Sequence, residues 1–126
     1  ITIDNGKVSR ISHAHNLPRV LKSLGMDLEP VICGGRDDEW NQEREQWHSG
    51  ANFFAFAPGK ALSYARNTNT LNELANHGFE IIPAWDVING KASVEGEKRC
   101  VVTIEGSELP RGGGGARCMT MPLVRE

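Results

Sequence analysis

The chain has no excess of basic residues: Lys and Arg number 14 against 16 Asp and Glu, a net charge of -2 with neutral histidine. Without a basic surplus or stripe there is little to displace counterions from a phosphate backbone, so a nucleic-acid grip by bulk charge is excluded. No apolar run approaches the roughly 20 residues that cross a bilayer, which excludes a membrane-spanning helix. Cysteine is sparse: Cys33, Cys100 and Cys118 are odd in number and widely spaced. They make a poor disulfide framework, and without a Cys-x-x-Cys pair a thiol redox module is disfavoured; reduced thiols and a cytoplasmic location are expected. There is no Asn-x-Ser/Thr sequon, and Ile1 to Ser12 lacks the basic-then-apolar layout of a signal peptide. Because the first residue is Ile1 rather than Met, a processed chain or a piece of a longer protein is expected.

What is present suits one domain over residues 1–126: 39% hydrophobic, 24% charged, mean hydropathy -0.39. Alternation around Asn5-Gly6 predicts a hairpin. Leu17, Val20, Leu21 and Leu24 form a helical stripe with Asn16 as N-cap and Gly25 as stop, and Leu28 to Cys33 reads as a strand. Gly34 to Gly50 is polar and carries no clear pattern. Asn52–Ala57 and Lys60–Tyr64 read as strands joined at Pro58-Gly59. Leu71, Leu74 and Ala75 predict a second helix, stopped by Gly78 and followed by a strand at Phe79 to Ile82. The helix, Gly, strand order thus occurs twice, which suggests a modular αβ architecture. Ala84 to Arg99 reads as a polar surface insertion, Cys100 to Ile104 as a strand, and Cys118 to Val124 as a last strand.

Glycine is the composition anomaly, 14 in all, four of them consecutive from Gly112 to Gly115. Ordering such a run costs roughly 1 kcal/mol per residue relative to Ala, so it suits a backbone that must approach something closely or take positive φ. A phosphate loop would continue Gly-Lys-Ser/Thr, whereas Ala116-Arg117-Cys118 follows. A slack linker and a loop wrapped over a small molecule, with Cys118 at its edge, remain in competition. A lone Cys opening an apolar strand is commonly an inert core thiol. Here Arg117 and the glycine amides would favour the thiolate if they faced the sulfur.

The tail from Ser107-Glu108-Leu109 through Arg117-Cys118-Met119-Thr120-Met121-Pro122 resembles the C-terminal end of arginine deiminases. Cys33-Gly34-Gly35, Glu43-Arg44-Glu45-Gln46-Trp47, Gly50-Ala51-Asn52, Ala57-Pro58-Gly59 and Tyr64-Ala65-Arg66-Asn67 occur in family order, so the resemblance runs from about Leu17 to the end. It implies an α/β fold, the αβ propeller (pentein), of which this chain would supply about two of the five ββαβ-type modules. It implies hydrolysis of L-arginine to L-citrulline and ammonia with no metal or cofactor. Cys118 would attack the guanidinium carbon to give a covalent amidino-cysteine. A histidine would serve as acid and then base, and two carboxylates would clamp the guanidinium, a division of labour suited to a poor electrophile. Gly112, Gly113 and Arg117 would meet the substrate, with the Gly112 carbonyl as a backbone contact.

The chain departs from that pattern in several places. The family's His-x-Asp segment and earlier acidic residue are not found, so the chain is expected to be a C-terminal portion, inactive without its missing N-terminal part. Gly113 stands where many members have Arg, and Ala65 where Asp is common, which leaves room for a related guanidine compound. A non-catalytic guanidine-binding or regulatory module and an amidinotransferase relative are the alternatives. Glu43, Arg44 and Glu45 are expected in a structural network, Trp47 and Trp85 in packing, Cys33 and Cys100 as inert thiols. His13 and His15 are expected to be exposed loop residues rather than metal ligands, and His48 and His77 have no local partner in sequence. Open sheet edges lead to an expected association with itself, as a homo-oligomer, or with the missing portion.

Overall fold

The computed structural model describes residues 1–11, 13 and 16–124 and divides into two compact units, Ile1–Pro30 and a second that begins at Val31. In the first, β1 (Thr2–Asp4) pairs antiparallel with β2 (Lys7–Arg10). Asn5 and Gly6 turn the chain with φ of 48° and 73°, the double left-handed conformation that Asn-Gly hairpins favour. Helix α1 (Leu17–Ser23) starts where expected: the Asn16 side chain accepts the Arg19 N–H at 3.2 Å, and Pro18 sits in the first turn. Its stripe is only half covered, with Val20 and Leu21 half-buried and Leu17 and Leu24 exposed. Ser12, Ala14 and His15 lie outside the described residues, so the expectation for His15 does too.

The expected strand at Leu28 to Cys33 is not formed, and with it goes the first copy of the helix, Gly, strand repeat. A strand exists as a paired ladder. Leu28–Ile32 pairs with no strand among the described residues, and Pro30 has no N–H to offer.

The second unit is built on one mixed sheet. Helix α2 (Glu39–Trp47) occupies the stretch that had no clear pattern, capped by the Asp38 carboxylate, which accepts the Trp40 N–H at 2.9 Å. Strands β3 (Phe54–Ala57) and β4 (Lys60–Tyr64) form the expected hairpin around Gly59, which has φ of 70°. Helix α3 (Thr68–Asn76) follows, then β5 (Glu80–Pro83), the short α4 (Ala84–Ile88) and β6 (Cys100–Ile104). β6 inserts parallel between β4 and β5, giving the order β3-β4-β6-β5. A strand buried between two parallel neighbours should be a continuous apolar run, and Cys100-Val101-Val102 is one, at 1%, 1% and 7% exposure. Leu71 and Leu74 of α3 pack on Val101, with Val31, Phe53, Phe79 and Ile81 around them. The expected insertion begins as α4, so it is helix before it is loop.

The tail is not the strand expected for Cys118 to Val124. Ala116–Met119 forms a 3₁₀ turn, preceded by another at Leu109–Gly112. The Cys118 N–H donates to the Gly115 carbonyl at 3.1 Å and the Thr120 N–H to the Arg117 carbonyl at 3.0 Å. These local bonds satisfy the backbone first, and Pro122 supplies no ladder donor.

Helix α3 has no side chain of its own at its N-terminus; Glu45 of α2 caps it instead. Its carboxylate, 1% exposed, accepts the Asn69 N–H at 3.0 Å and the Thr70 N–H and hydroxyl at 2.8 and 2.7 Å. The Thr70 Oγ1 in turn accepts the Gly34 N–H at 2.8 Å. Glu45 and Arg44 thus form the expected structural network, with Arg44 donating to Glu45 at 3.1 Å, whereas Glu43 is exposed and takes no part in these bonds. Replacing Glu45 with Ala strands two helix N–H groups and a hydroxyl in a dry interior, with an expected loss of about 3 kcal/mol. Urea unfolding followed by circular dichroism measures it; a loss below about 1 kcal/mol would show the cap to be dispensable.

Candidate active site

The end of α2 and the tail meet at a sulfur. After α2, Ser49 takes a left-handed φ of 58° and the Gly50 N–H closes onto the Glu45 carbonyl at 2.7 Å. A Cβ on Gly50 would sit 2.7 Å from the Cys33 sulfur and 2.8 Å from the Glu45 carbonyl, so the turn is closed to larger residues. The turn leaves Asn52 just ahead of β3, not within a strand as the sequence suggested. Its side-chain amide, Nδ2, donates to the Cys118 Sγ at 3.1 Å. Gly115 lies against the same asparagine: a Cβ there would fall 2.5 Å from the Asn52 Cβ.

Cys118 is exposed. Hydrogen bonds from Asn52 and then the Gly115 backbone hold its thiol below the usual range against the opposing effect of burial, with a smaller contribution from the Arg117 charge. The next residue in the turn, Met119, has its sulfur 3.8 Å from the hydroxyl of Tyr64 of β4, which is 1% exposed. Burial first, and the Cys118 charge second, push the Tyr64 phenol up. Gly106 admits that ring, since a Cβ there would come within 2.3 Å of it.

The other candidate residues are placed differently. Arg117 is exposed beside Cys118 and lines an open groove of about 810 Å³ with Phe53, Phe56, Pro58, Thr120 and Met121; Cys118 is not part of that wall. Gly112 and Gly113 are exposed, with open space where a Cβ would be, and the half-buried Gly114 and buried Gly115 are the glycines that reach Cys118. Among the described residues no group of His, Cys, Asp and Glu could hold a metal ion. No described helix is long and apolar enough to cross a membrane.

Several expectations need correction. Trp47 and Trp85 do not pack: they are 77% and 67% exposed, because no described element covers the outer faces of α2 and α4. His48 and His77 do have partners. The His48 Nε2 lies 3.3 Å from the Arg66 guanidinium, and the His77 Nδ1 lies 2.7 Å from the Glu73 carbonyl. Arg66 also donates to the Ser107 carbonyl at 2.5 Å, tying the turn after β4 to the base of the glycine loop. Cys100 is buried, and Cys33 half-buried against Thr70 Oγ1 at 3.5 Å. Asn52 and Tyr64 are the site residues that reading the sequence passed over. Both lay inside quoted motifs, Gly50-Ala51-Asn52 and Tyr64-Ala65-Arg66-Asn67, but nothing in one dimension puts either beside residue 118.

The fold and site define an α/β chain that presents an exposed, hydrogen-bonded cysteine on a glycine-rich tail. A sequence model of the arginine deiminase family matches residues 2–125, and the chain belongs to that family. It is 39% identical to the arginine deiminase of Levilactobacillus brevis over 99% of this chain and 26% of the relative. It is 39% identical to that of Mycoplasma capricolum over 82% of this chain and 21% of the relative. It is 36% identical to that of Streptococcus uberis over 100% of this chain and 26% of the relative. The chain thus spans about a quarter of the length of the curated relatives it matches.

Gly115→Ala collides with Asn52 and should lower stability by about 1–3 kcal/mol and slow alkylation of Cys118, whereas Gly112→Ala should stay within about 0.5 kcal/mol. Equal thermal midpoints for the two variants would contradict the site geometry. Burial, and then the Arg66 charge, hold the His48 imidazole below its ordinary value of 6.5. The unfolded chain therefore takes up this proton first as pH falls. The stability His48 contributes is complete above pH 6.5 and lost as pH drops through the folded value. Urea midpoints taken from neutral pH downward should show this loss, and His48→Gln should remove that part of it.

Proposed function

We propose that this chain is the nucleophile-bearing C-terminal part of a cytoplasmic enzyme that hydrolyses L-arginine to L-citrulline and ammonia. The observation that carries the reading is the exposed Cys118 sulfur, 3.1 Å from the Asn52 amide, in a chain of the arginine deiminase family. The Cys118 thiolate attacks the guanidinium carbon. One C–N bond breaks, ammonia leaves with a proton from a general acid, and a cationic amidino-cysteine remains. Water then adds to the same carbon, its protons pass to a general base and solvent, the C–S bond breaks, and citrulline and the thiolate are released. The sulfur must be ionised for the first step and a good leaving group for the last, and a lowered thiol pKa serves both. No cofactor is required.

Gly112 and Gly113 supply backbone contacts to the substrate, and Arg117 stands beside the sulfur; the open space around both glycines supports a loop that closes on a ligand. The general acid and the two guanidinium-clamping carboxylates come from an N-terminal portion outside these 126 residues, in a closed αβ propeller of which this chain forms about two modules. The outer edges of β3 and β5, unpaired among the described residues, and the exposed Trp40, Trp47 and Phe56 support association with that portion or between copies.

Citrulline formation tests the reading. The 126-residue chain alone should give none. The longest native form containing it should turn arginine over and show an arginine-derived mass adduct on Cys118. Cys118→Ala should lower turnover at least about 1,000-fold. Undiminished turnover in that variant overturns the assignment, and arginine binding without product in every form identifies a non-catalytic module instead.

A further inference from the structure

The hydrogen bond onto the Cys118 sulfur comes from a residue 66 positions away in the chain, and its geometry is over-determined. Asn52 is half-buried, with its backbone N–H fixed to the Ser49 carbonyl at 3.0 Å. Gly115 is seated against its side chain so closely that no larger residue fits. On the other side, the Cys118 N–H is turned onto the Gly115 carbonyl at 3.1 Å, so the cysteine's backbone is held by the residue that Asn52 packs against. The ionisable groups facing the sulfur are Tyr64 from β4 and Arg117 from its own turn. Tyr64 is buried, and Arg117 is exposed and screened, so the short-range donors, Asn52 first and the Gly115 backbone second, are the strongest local influences on the sulfur.

We propose that Asn52 is the positioning residue for Cys118: its amide N–H holds the sulfur in one orientation and donates to its negative charge before attack and again as it departs. The inference rests on Cys118 being the nucleophile proposed above. The gain survives the loss of intrinsic reactivity that accompanies a more acidic thiol. Nucleophilicity falls with only about half the weight of the pKa change, while the ionised fraction rises with its full weight until the thiol is mostly ionised. Expulsion of the sulfur in the second half gains in the same direction, because a more acidic thiol leaves faster.

The test is the pH profile of iodoacetamide alkylation of the 126-residue chain, between about pH 6 and pH 10, read at Cys118 by peptide mass spectrometry. Asn52→Leu keeps the branched shape with more bulk and loses the donor; Asn52→Ala loses both shape and donor without adding charge. In either variant that retains its circular dichroism spectrum, the Cys118 midpoint should rise by about half a unit or more, with at least about a threefold fall in the thiolate fraction at pH 7. The wild-type chain provides a variant-free check, since its midpoint should lie below that of the same cysteine in urea. An unchanged midpoint in a folded variant, or equal midpoints with and without urea, overturns the proposal. Alkylation needs no turnover, so full activity in Cys118→Ala would remove the nucleophile reading while the midpoints still judge the role of Asn52.

Discussion

One buried carboxylate organises the described part of this chain that matters for chemistry. Glu45 is withdrawn from water, so it must be matched by donors, and it is: two N–H groups at the start of α3, the Thr70 hydroxyl and the Arg44 guanidinium. Satisfying it fixes α2 against α3. Thr70 passes the constraint to the Cys33-Gly34 turn by accepting the Gly34 N–H. The Glu45 carbonyl receives Gly50, and that turn aims Asn52 at the tail. The path from a structural ion to a reactive sulfur is a sequence of short hydrogen bonds and close glycine contacts, each leaving little room for another arrangement.

The tail is held more lightly. Its backbone bonds are local 3₁₀ turns, and among the described residues side chains of the sheet and its flanking loops hold it at Asn52 to Cys118, Tyr64 to Met119, and Arg66 to Ser107 at the loop base. A glycine-rich segment with that pattern combines a fixed point at Cys118 with open space at Gly112 and Gly113. That division suits a site whose nucleophile must be presented in one orientation while the neighbouring backbone adapts to a ligand. Trp40, Trp47 and Trp85, all strongly exposed, are surfaces the described residues leave uncovered. They fit a chain that spans about a quarter of its curated relatives.

The elements that could be read in one dimension were those whose signal is local. Asn5-Gly6 and Pro58-Gly59 specify turns through backbone conformation, Asn16 and Gly25 bracket α1, and Leu71 and Leu74 mark the buried stripe of α3. Helix α2 escaped notice because its face is almost wholly polar: what it buries is Glu45, and hydrophobic periodicity cannot report a buried charge. The two failed strands, Leu28 to Cys33 and Cys118 to Val124, have strand-like composition. Strand propensity is satisfied only by a neighbour to pair with, and neither segment has one among the described residues.

Composition and motif order therefore set the family and singled out Cys118 together with its glycine run, since both are written in residue types at short range. What needed the folded chain was the surroundings of the sulfur. Asn52 meets Cys118, and Tyr64 meets Met119 beside it, where Gly50, Gly106 and Gly115 permit approaches no side chain could share. Contacts of that kind join distant positions through packing, and packing leaves no trace in the spacing of letters along a chain.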